Sequence, residues 1–342
     1  MRSLWGKAPF QFELREIETP HPGPGEVLVK VEACGICGTD VHFVRSGEFQ
    51  EWRPLGHEAV GTVAEVGPGV GRFRGGETVI VQNHVECGLC PQCKNGQPQY
   101  CQNIRTYMED RAGFADYLCV QADMIQPYEG LTPIQATLAE PLTVALDLTL
   151  TADPALNDEV AVFGPGSIGL ITVRLAKLRG ARRVFLTGSN RSTPRGRHRL
   201  EAGKEMGADI TLADKEDDIV AVIKGYVPQG VDQVLITAPP RTFLQAIQIA
   251  RFGGVIGLIG IQFGEGAFVT FNVNEFHFKK LQLRASHAIP NHRFPMALDL
   301  LARKAVDPDK LITHVFHLDE AEEAFRTLID PKQEAIKVVI IP

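Results

Sequence analysis

The sequence has no apolar run long enough to cross a bilayer. Its longest, Val255–Ile261 with flanking glycines, is far short of the roughly 20 residues a membrane helix needs. The opening MRSLWGKAPFQFEL lacks the apolar core of a secretory signal, so a cytoplasmic location is expected. There is no excess of positive charge either. The formal net charge is −6 and the pI about 6.0, which argues against a nucleic-acid partner or an acidic membrane surface. No internal repeat and no low-complexity tract interrupts the chain.

What is present is ordinary for a globular protein: 342 residues, 44% hydrophobic and 22% charged, enough for two domains with proper cores. The 33 glycines suit many tight turns. The first part reads as β-rich. Val27–Ala33, Ala59–Val66 and Glu77–Val81 alternate in the manner of half-buried strands, and Pro/Gly turns separate them. From about residue 155 the rhythm changes. Strand Glu159–Phe163 runs into a glycine-rich turn and a helix to Gly180. Strand Arg183–Thr187, helix Arg199–Met206, strand Asp209–Leu212, helix Glu216–Lys224 and strand Asp232–Ile236 follow. A helix near Arg241–Arg251 and strand Gly254–Ile261 complete the series. Such alternation predicts a parallel sheet with helices on both faces. Further on, helix Arg293–Lys304 and a second helix, capped by Asp319 with Glu322 three residues on, precede strand Lys337–Ile341.

Three groups of residues carry chemistry. The strongest is Cys87-x2-Cys90-x2-Cys93-x7-Cys101. Without a signal peptide, such clustering points to metal rather than disulfides. Four thiolates fill a tetrahedral zinc shell and leave no position for water, so this zinc is structural. Free surface thiols and an iron–sulfur cluster are the weaker alternatives.

The second group is dispersed: Cys34-Gly-Ile-Cys37-Gly-Thr39-Asp-Val-His42, then Gly56-His57-Glu58, then Glu140-Pro141-Leu142. No spacing rule joins them. Taken singly, the cysteines read as core thiols, His57 as a turn histidine, and the glutamates as solvated charges. The third is Gly164-Pro-Gly166-Ser167-Ile168-Gly169, between a strand and a helix. There Gly164 permits the tight turn, Gly166 lets the backbone approach a pyrophosphate, and Gly169 lets the helix pack on the strand. The helix N-terminus supplies free N–H groups to the phosphates.

In this order, the three groups resemble the zinc-containing medium-chain dehydrogenases, especially their polyol, sugar and threonine branch, over almost the whole chain. The resemblance implies an α/β fold. A discontinuous GroES-like, β-rich catalytic domain spans 1–150, with a structural-zinc lobe at about 85–103, and resumes at 291–342. A doubly wound Rossmann cofactor domain spans 151–290. It implies two zinc ions per chain: one held by Cys37, His57 and one or both of Glu58 and Glu140, the other by Cys87, Cys90, Cys93 and Cys101. Thr39 matches the group that receives the proton of the substrate alcohol, and His42 the group that passes it to solvent through the cofactor ribose. The family further implies a homodimer or homotetramer.

One departure concerns the cofactor. The second strand ends in Thr187-Gly-Ser189-Asn-Arg191, without the acidic residue that binds the ribose hydroxyls of NAD. Arg191, Arg195, Arg197 and Arg199 follow, and arginine can hold a 2′-phosphate bidentately. NADP is therefore favoured over NAD, with Ser189 and Arg191 as its contacts; a plain solvated basic loop is the alternative. Phe49, Trp52 and Phe114 are candidate pocket walls. The expected function is hydride transfer between a secondary alcohol, polyol or sugar and NAD(P). A threonine or amino-alcohol dehydrogenase and an aldose C1 dehydrogenase are the near alternatives. A non-catalytic, zinc-stabilised NADP(H)-binding sensor is the alternative of another class.

Overall fold

The computed structural model describes residues 1–47 and 50–342. The chain divides into two compact units. One comprises Met1–Thr143, Ile289–Ile329 and Lys337–Pro342, the other Val144–Ala288 and Asp330–Ile336.

The first unit is built on a mixed seven-stranded sheet. Its path runs Ile125–Pro127, Thr78–Val81, Glu58–Val66, Glu26–Gly35, Lys337–Ile341 and Ile312–His317, and Tyr117–Gln121 also pairs with Glu26–Gly35. The long central strand Glu26–Gly35 puts Val27, Val29, Val31 and Ala33 on one buried face. Its register against Glu58–Val66 shifts between Leu28 and Val29 and again between Val31 and Ala33. These bulges bend the strand and bring Gly35 opposite Glu58. On its other side Gly35 stands opposite Val339 of the last strand. Three segments remote in sequence thus meet where the strand ends. From there the chain turns through Ile36 and Cys37 into helix Gly38–Arg45.

Between the strand pair His84–Val85 and Arg105–Thr106 lies the cysteine-rich lobe. It contains only a helical turn at Pro91–Lys94 and a 3-10 turn at Pro98–Tyr100, neither with a buried side chain. Leu89 and Tyr100 are exposed. Apolar burial cannot hold this loop; its inward side chains are Cys90 and Cys101.

The second unit is a six-stranded, wholly parallel sheet in the order Ile210–Ala213, Arg183–Gly188, Glu159–Phe163, Val231–Ile236, Ala250–Leu258, Gln282–Ala285. In chain order this is 3-2-1-4-5-6, the arrangement of two mononucleotide-binding halves. All five residues of Glu159–Phe163 are buried, as a strand covered on both faces requires. Phe163, Phe185, Ile223, Val234, Ile236, Ile247 and Ile256 belong to its core.

Several element ends differ from expectation. The helix expected at Arg199–Met206 begins at Pro194, because Thr193 caps it by accepting from the Gly196 N–H and proline is tolerated in a first turn. The helix near Arg241–Arg251 is a 3-10 turn, Pro240–Thr242, followed by Phe243–Ile249, and the next strand begins already at Ala250. The helix expected at Arg293–Lys304 spans Phe294–Ala302. The cap expected at Asp319 lies instead at His317, whose N–H donates to Glu320 at 2.8 Å. Glu322 pairs one turn on with Arg326 at 2.6 Å.

Candidate metal centres and dinucleotide loop

Cys37 is the N-cap of helix Gly38–Arg45, and its sulfur accepts the N–H of Thr39 at 3.5 Å. Asp40 closes the box by accepting the Cys37 N–H at 2.9 Å. A sulfur so placed faces the backbone N–H groups at the start of the helix. The other Asp40 oxygen accepts the Gly56 N–H at 3.1 Å and lies 3.6 Å from Nδ1 of His57. One buried carboxylate therefore ties the helix start to the turn before His57 and faces the imidazole.

Ligand atoms of Cys37, His57 and Glu58 all lie within 4.8 Å of one another, with His57 and Glu58 buried. The charges around them call for a cation. Burial works against an imidazolium at His57, yet the Asp40 carboxylate and the Cys37 sulfur raise its pKa well above the usual histidine value. Glu58 is pushed up to about 6, first by burial, with Lys337 acting against the rise. Sulfur, imidazole and carboxylate together form a donor set suited to zinc.

The four lobe cysteines form the second group. Their sulfurs are 3.5 Å (Cys90–Cys93), 3.6 Å (Cys101–Cys87) and 3.9 Å (Cys90–Cys101) apart. A tetrahedral zinc with Zn–S bonds of about 2.3 Å sets sulfur–sulfur edges of about 3.8 Å, so the quartet fits. The N–H groups of Leu89 and Cys90 point at the Cys87 sulfur and lower its pKa.

In the second unit, Gly164 takes φ +106, and a Cβ there would come within 3.0 Å of the Thr237 hydroxyl. A Cβ on Gly169 would lie 1.7 Å from the Gly164 carbonyl oxygen, so that residue must be glycine for the helix to seat. Gly166 has open space where its Cβ would be and caps helix Ser167–Leu178 with no side-chain hydrogen bond. The first N–H groups of that helix are therefore free to meet an anion.

Residues 23–130 match the alcohol dehydrogenase GroES-like domain, and residues 167–303 the family described as zinc-binding dehydrogenase. An L-threonine 3-dehydrogenase of Pyrococcus furiosus is 34% identical over 339 residues, 94% of this chain and 93% of the relative. The chain belongs to the zinc-binding alcohol dehydrogenases. Among solved structures, an Escherichia coli chain described as a short chain alcohol dehydrogenase, complexed with NADH, is 30% identical and superposes with a TM-score of 0.88, covering 100% of this chain and 99% of that one. A proposed zinc-binding dehydrogenase of Sinorhizobium meliloti, bound to NADP, is 32% identical with a TM-score of 0.87 and the same coverage. As a member of this family the chain is an oxidoreductase of the NAD(P)-dependent alcohol and polyol dehydrogenase class.

Against that family background, the expected site residues separate into those the fold gathers and those it does not. Cys37, His57 and Glu58 come together; Glu140 is outside that group, with its Oε1 accepting from Asn83 at 3.1 Å. Thr39 lies on the Cys37 helix with its hydroxyl 3.7 Å from the Cys37 sulfur, and His42 follows on the same helix. Cys34 is a buried core thiol whose pKa burial raises. Phe114 is fully buried, edge-on to Phe325, while the Trp52 ring is covered by Lys7 and Arg15; Phe49 lies outside the described residues.

The end of strand Arg183–Gly188 is flanked by acids that its own sequence does not carry. No acid stands in residues 187–191, but two arrive from the next loop. Glu216 accepts the N–H groups of Arg191 and Ser192, and Asp217 pairs with the Arg191 guanidinium at 2.7 Å. Asp40, Lys337, Asn83 and Asn291 also belong to the surroundings of these groups without standing in any of the three sequence motifs as a candidate. Asp40 had a local signal, since an acid three residues after an N-cap is the capping-box spacing. The other three had none.

Proposed function

We propose that this chain carries two zinc ions, one catalytic and one structural, and transfers hydride between a secondary alcohol, polyol or sugar and a nicotinamide dinucleotide. The observation that carries this reading is the convergence of the Cys37, His57 and Glu58 donors within 4.8 Å. In this reading the first unit is catalytic and the second binds the cofactor.

Cys37 and His57 would hold the catalytic zinc, with Glu58 or Glu140 as further ligand, and Cys87, Cys90, Cys93 and Cys101 the structural one. When bound, the catalytic zinc supplies Lewis acidity that lowers the pKa of a substrate hydroxyl toward neutrality. The dinucleotide supplies the hydride acceptor, its pyrophosphate seated on Gly164, Gly166, Ser167, Ile168 and Gly169. The protein's own part is to hold donors and move a proton. The Thr39 hydroxyl takes the proton released by the substrate, and His42 passes it outward. Asp40 faces the Nδ1 side of the His57 ring at 3.6 Å, which would leave the other nitrogen to the metal.

A carboxylate ligand makes the metal less electrophilic than a second thiolate would and suits substrates with neighbouring hydroxyls, which supports the polyol and sugar reading. The Pyrococcus relative, an L-threonine 3-dehydrogenase, supports the second reading, an amino-alcohol substrate. For the cofactor we favour NADP, with Ser189 and Arg191 at the 2′-phosphate. Arg191 is half exposed, but a phosphate has to compete there with Asp217. We further read the chain as a cytosolic homodimer or homotetramer. Among the described residues, edge strand Gln282–Ala285 has only one neighbouring strand, and its Leu283 and the preceding Val273 and Phe278 are exposed.

The test is a panel of polyols, sugars, threonine and secondary alcohols, each run with NAD and with NADP, on protein of measured zinc content. Turnover with about two zincs per chain is expected. One zinc and no turnover with any pair would leave only the binding-protein reading.

A further inference from the structure

Three buried polar side chains of the first unit form a hydrogen-bonded chain, and the proposed mechanism gives a part to Glu140 but none to the two asparagines, Asn83 and Asn291. Asn83 Nδ2 donates to Glu140 Oε1 at 3.1 Å. Asn291 Nδ2 donates to Asn83 Oδ1 at 3.1 Å and reaches the same Glu140 oxygen at 3.5 Å. The three are 4%, 4% and 7% exposed, so water does not share these bonds freely.

The direction of each bond follows from the chemistry. An amide nitrogen only donates and an amide oxygen only accepts. The Asn83 NH2 faces Glu140, which leaves its carbonyl facing Asn291. Asn291 must then turn its own NH2 inward. Its Oδ1 ends up buried with no hydrogen-bond partner among the described residues. A buried acceptor left unmade is unfavourable, so the favourable contribution of this amide lies at its donor end. The backbone fixes both amides: the Asn83 carbonyl accepts the Thr106 hydroxyl at 2.9 Å, and the Asn291 N–H donates to the His84 carbonyl at 3.3 Å.

We propose that Asn83 and Asn291 form a two-amide clamp that positions Glu140 for the catalytic metal centre by occupying one of its oxygens, leaving a single oxygen to offer a metal ion. The proposal rests on reading Cys37, His57 and Glu58 as that centre. Asn83 makes the direct bond, and Asn291 holds Asn83 in the donating orientation. The two are positioning residues; neither touches substrate. A carboxylate with one oxygen occupied binds as a monodentate ligand of defined direction, whereas a released one swings between orientations and holds the ion less well. Partners that orient metal ligands in this way typically change metal affinity by about 10- to 100-fold when removed.

The test is a chelator titration of the full zinc-loaded chain, counting zinc released per chain. Asn83→Leu and Asn83→Asp are close in size; the first cannot donate to Glu140, and the second can do so only by taking up a proton. Each should release one zinc at roughly ten-fold lower chelator, while the other zinc stays as in the parent. Asn291→Leu should act in the same direction, and Asn83→Gln, which keeps the donor, should recover part of the affinity. With cobalt in the catalytic site, the visible bands should shift in the Asn83 variants, a change that a purely structural role would not produce. Parent-like or tighter retention of both zincs by Asn83→Leu and Asn83→Asp overturns the clamp. So does loss of both zincs together with a fall in melting temperature. A Cys37→Ala control separates the two ideas. If it loses one zinc while the Asn83 variants keep both, only the clamp fails; if it too keeps both, the metal-centre reading fails.

Discussion

The ammonium of Lys337, on the last strand, stands against the carboxylate of Glu58, and each residue is only 2% exposed. Lys337 also donates to the Ile36 carbonyl at 3.0 Å. Burial pulls the lysine pKa down, and Glu58, Cys37 and Glu140 together more than offset this, so the ammonium stays charged. A buried pair is favourable only while both members are present. Lys337→Met should leave Glu58 uncompensated and cost about 3–5 kcal/mol in urea unfolding of the zinc-free chain. The double variant Lys337→Met/Glu58→Gln should recover much of that loss. Unchanged unfolding of the single variant would deny the pair its role.

Gly35 makes room for that pair. A Cβ there would lie 2.0 Å from Glu58 Oε2 and 2.7 Å from Lys337 Cε. The backbone is extended, so the objection is steric rather than conformational. Gly35→Ala should therefore destabilise by about 1–3 kcal/mol, as overpacking does, and weaken zinc binding at the Cys37 group because Glu58 is displaced. Thermal unfolding and zinc content measure the two effects. A parent-like melting temperature would show that the pair has slack.

Cys37 and Cys90 should fail differently. Cys37→Ala is expected to lose one zinc and all turnover while the circular dichroism spectrum and melting temperature stay near the parent's. Cys90→Ala should lose the other zinc and with it the order of a loop that has few apolar contacts of its own. Faster proteolysis between residues 87 and 101 would report that. Full activity in Cys37→Ala would remove the catalytic assignment.

Asp40 is bound through both oxygens, to the N–H of Cys37 and that of Gly56, while facing His57. Asp40→Asn turns an NH2 group toward one of those donors and removes the charge opposite the ring. Zinc affinity at the Cys37 group, or turnover, should fall about 10- to 100-fold. Parent-like zinc affinity and turnover would mean that the backbone alone orients His57.

Acid should weaken the first unit through Glu26. Its carboxylate accepts the Gly23 N–H at 2.9 Å and faces Arg111 at 3.3 Å. The Gly23 bond, against burial and with help from Arg111, holds its pKa below the ordinary 4.5. The unfolded chain therefore binds the proton more readily than the folded one. This contribution is complete above pH 4.5 and is lost as pH falls from there through the folded value. Glu26→Gln should flatten that part of the stability curve. An unchanged acid limb would mean that other carboxylates dominate.

Part of this protein was written in local sequence. The spacing of Cys87, Cys90, Cys93 and Cys101 brings four sulfurs together within one short loop, so their grouping was legible without a fold. Gly164, Gly166 and Gly169 were legible for the same reason: a turn and a helix start are made by neighbouring residues. The alternation of strands and helices after residue 155 set a parallel sheet, because burial on both faces leaves an apolar run that periodicity can show. Helix ends were less legible, since Thr193 and His317 cap through hydrogen bonds that compete with nearby candidates such as Asp319.

The grouping of Cys37, His57 and Glu58 was decided by tertiary structure. Cys37 meets His57 and Glu58 because a bulged strand sets Gly35 opposite Glu58. Lys337 reaches that carboxylate because the last strand pairs beside it. Asn83 and Asn291 find Glu140 from segments that no repeat or spacing connects, and Glu216 and Asp217 reach Arg191 from a separate loop. Such contacts form through space between elements whose relative placement depends on the packing of the whole sheet. Side-chain spacing along a chain records what one turn of backbone can bring together; it carries no record of which distant strands will become neighbours.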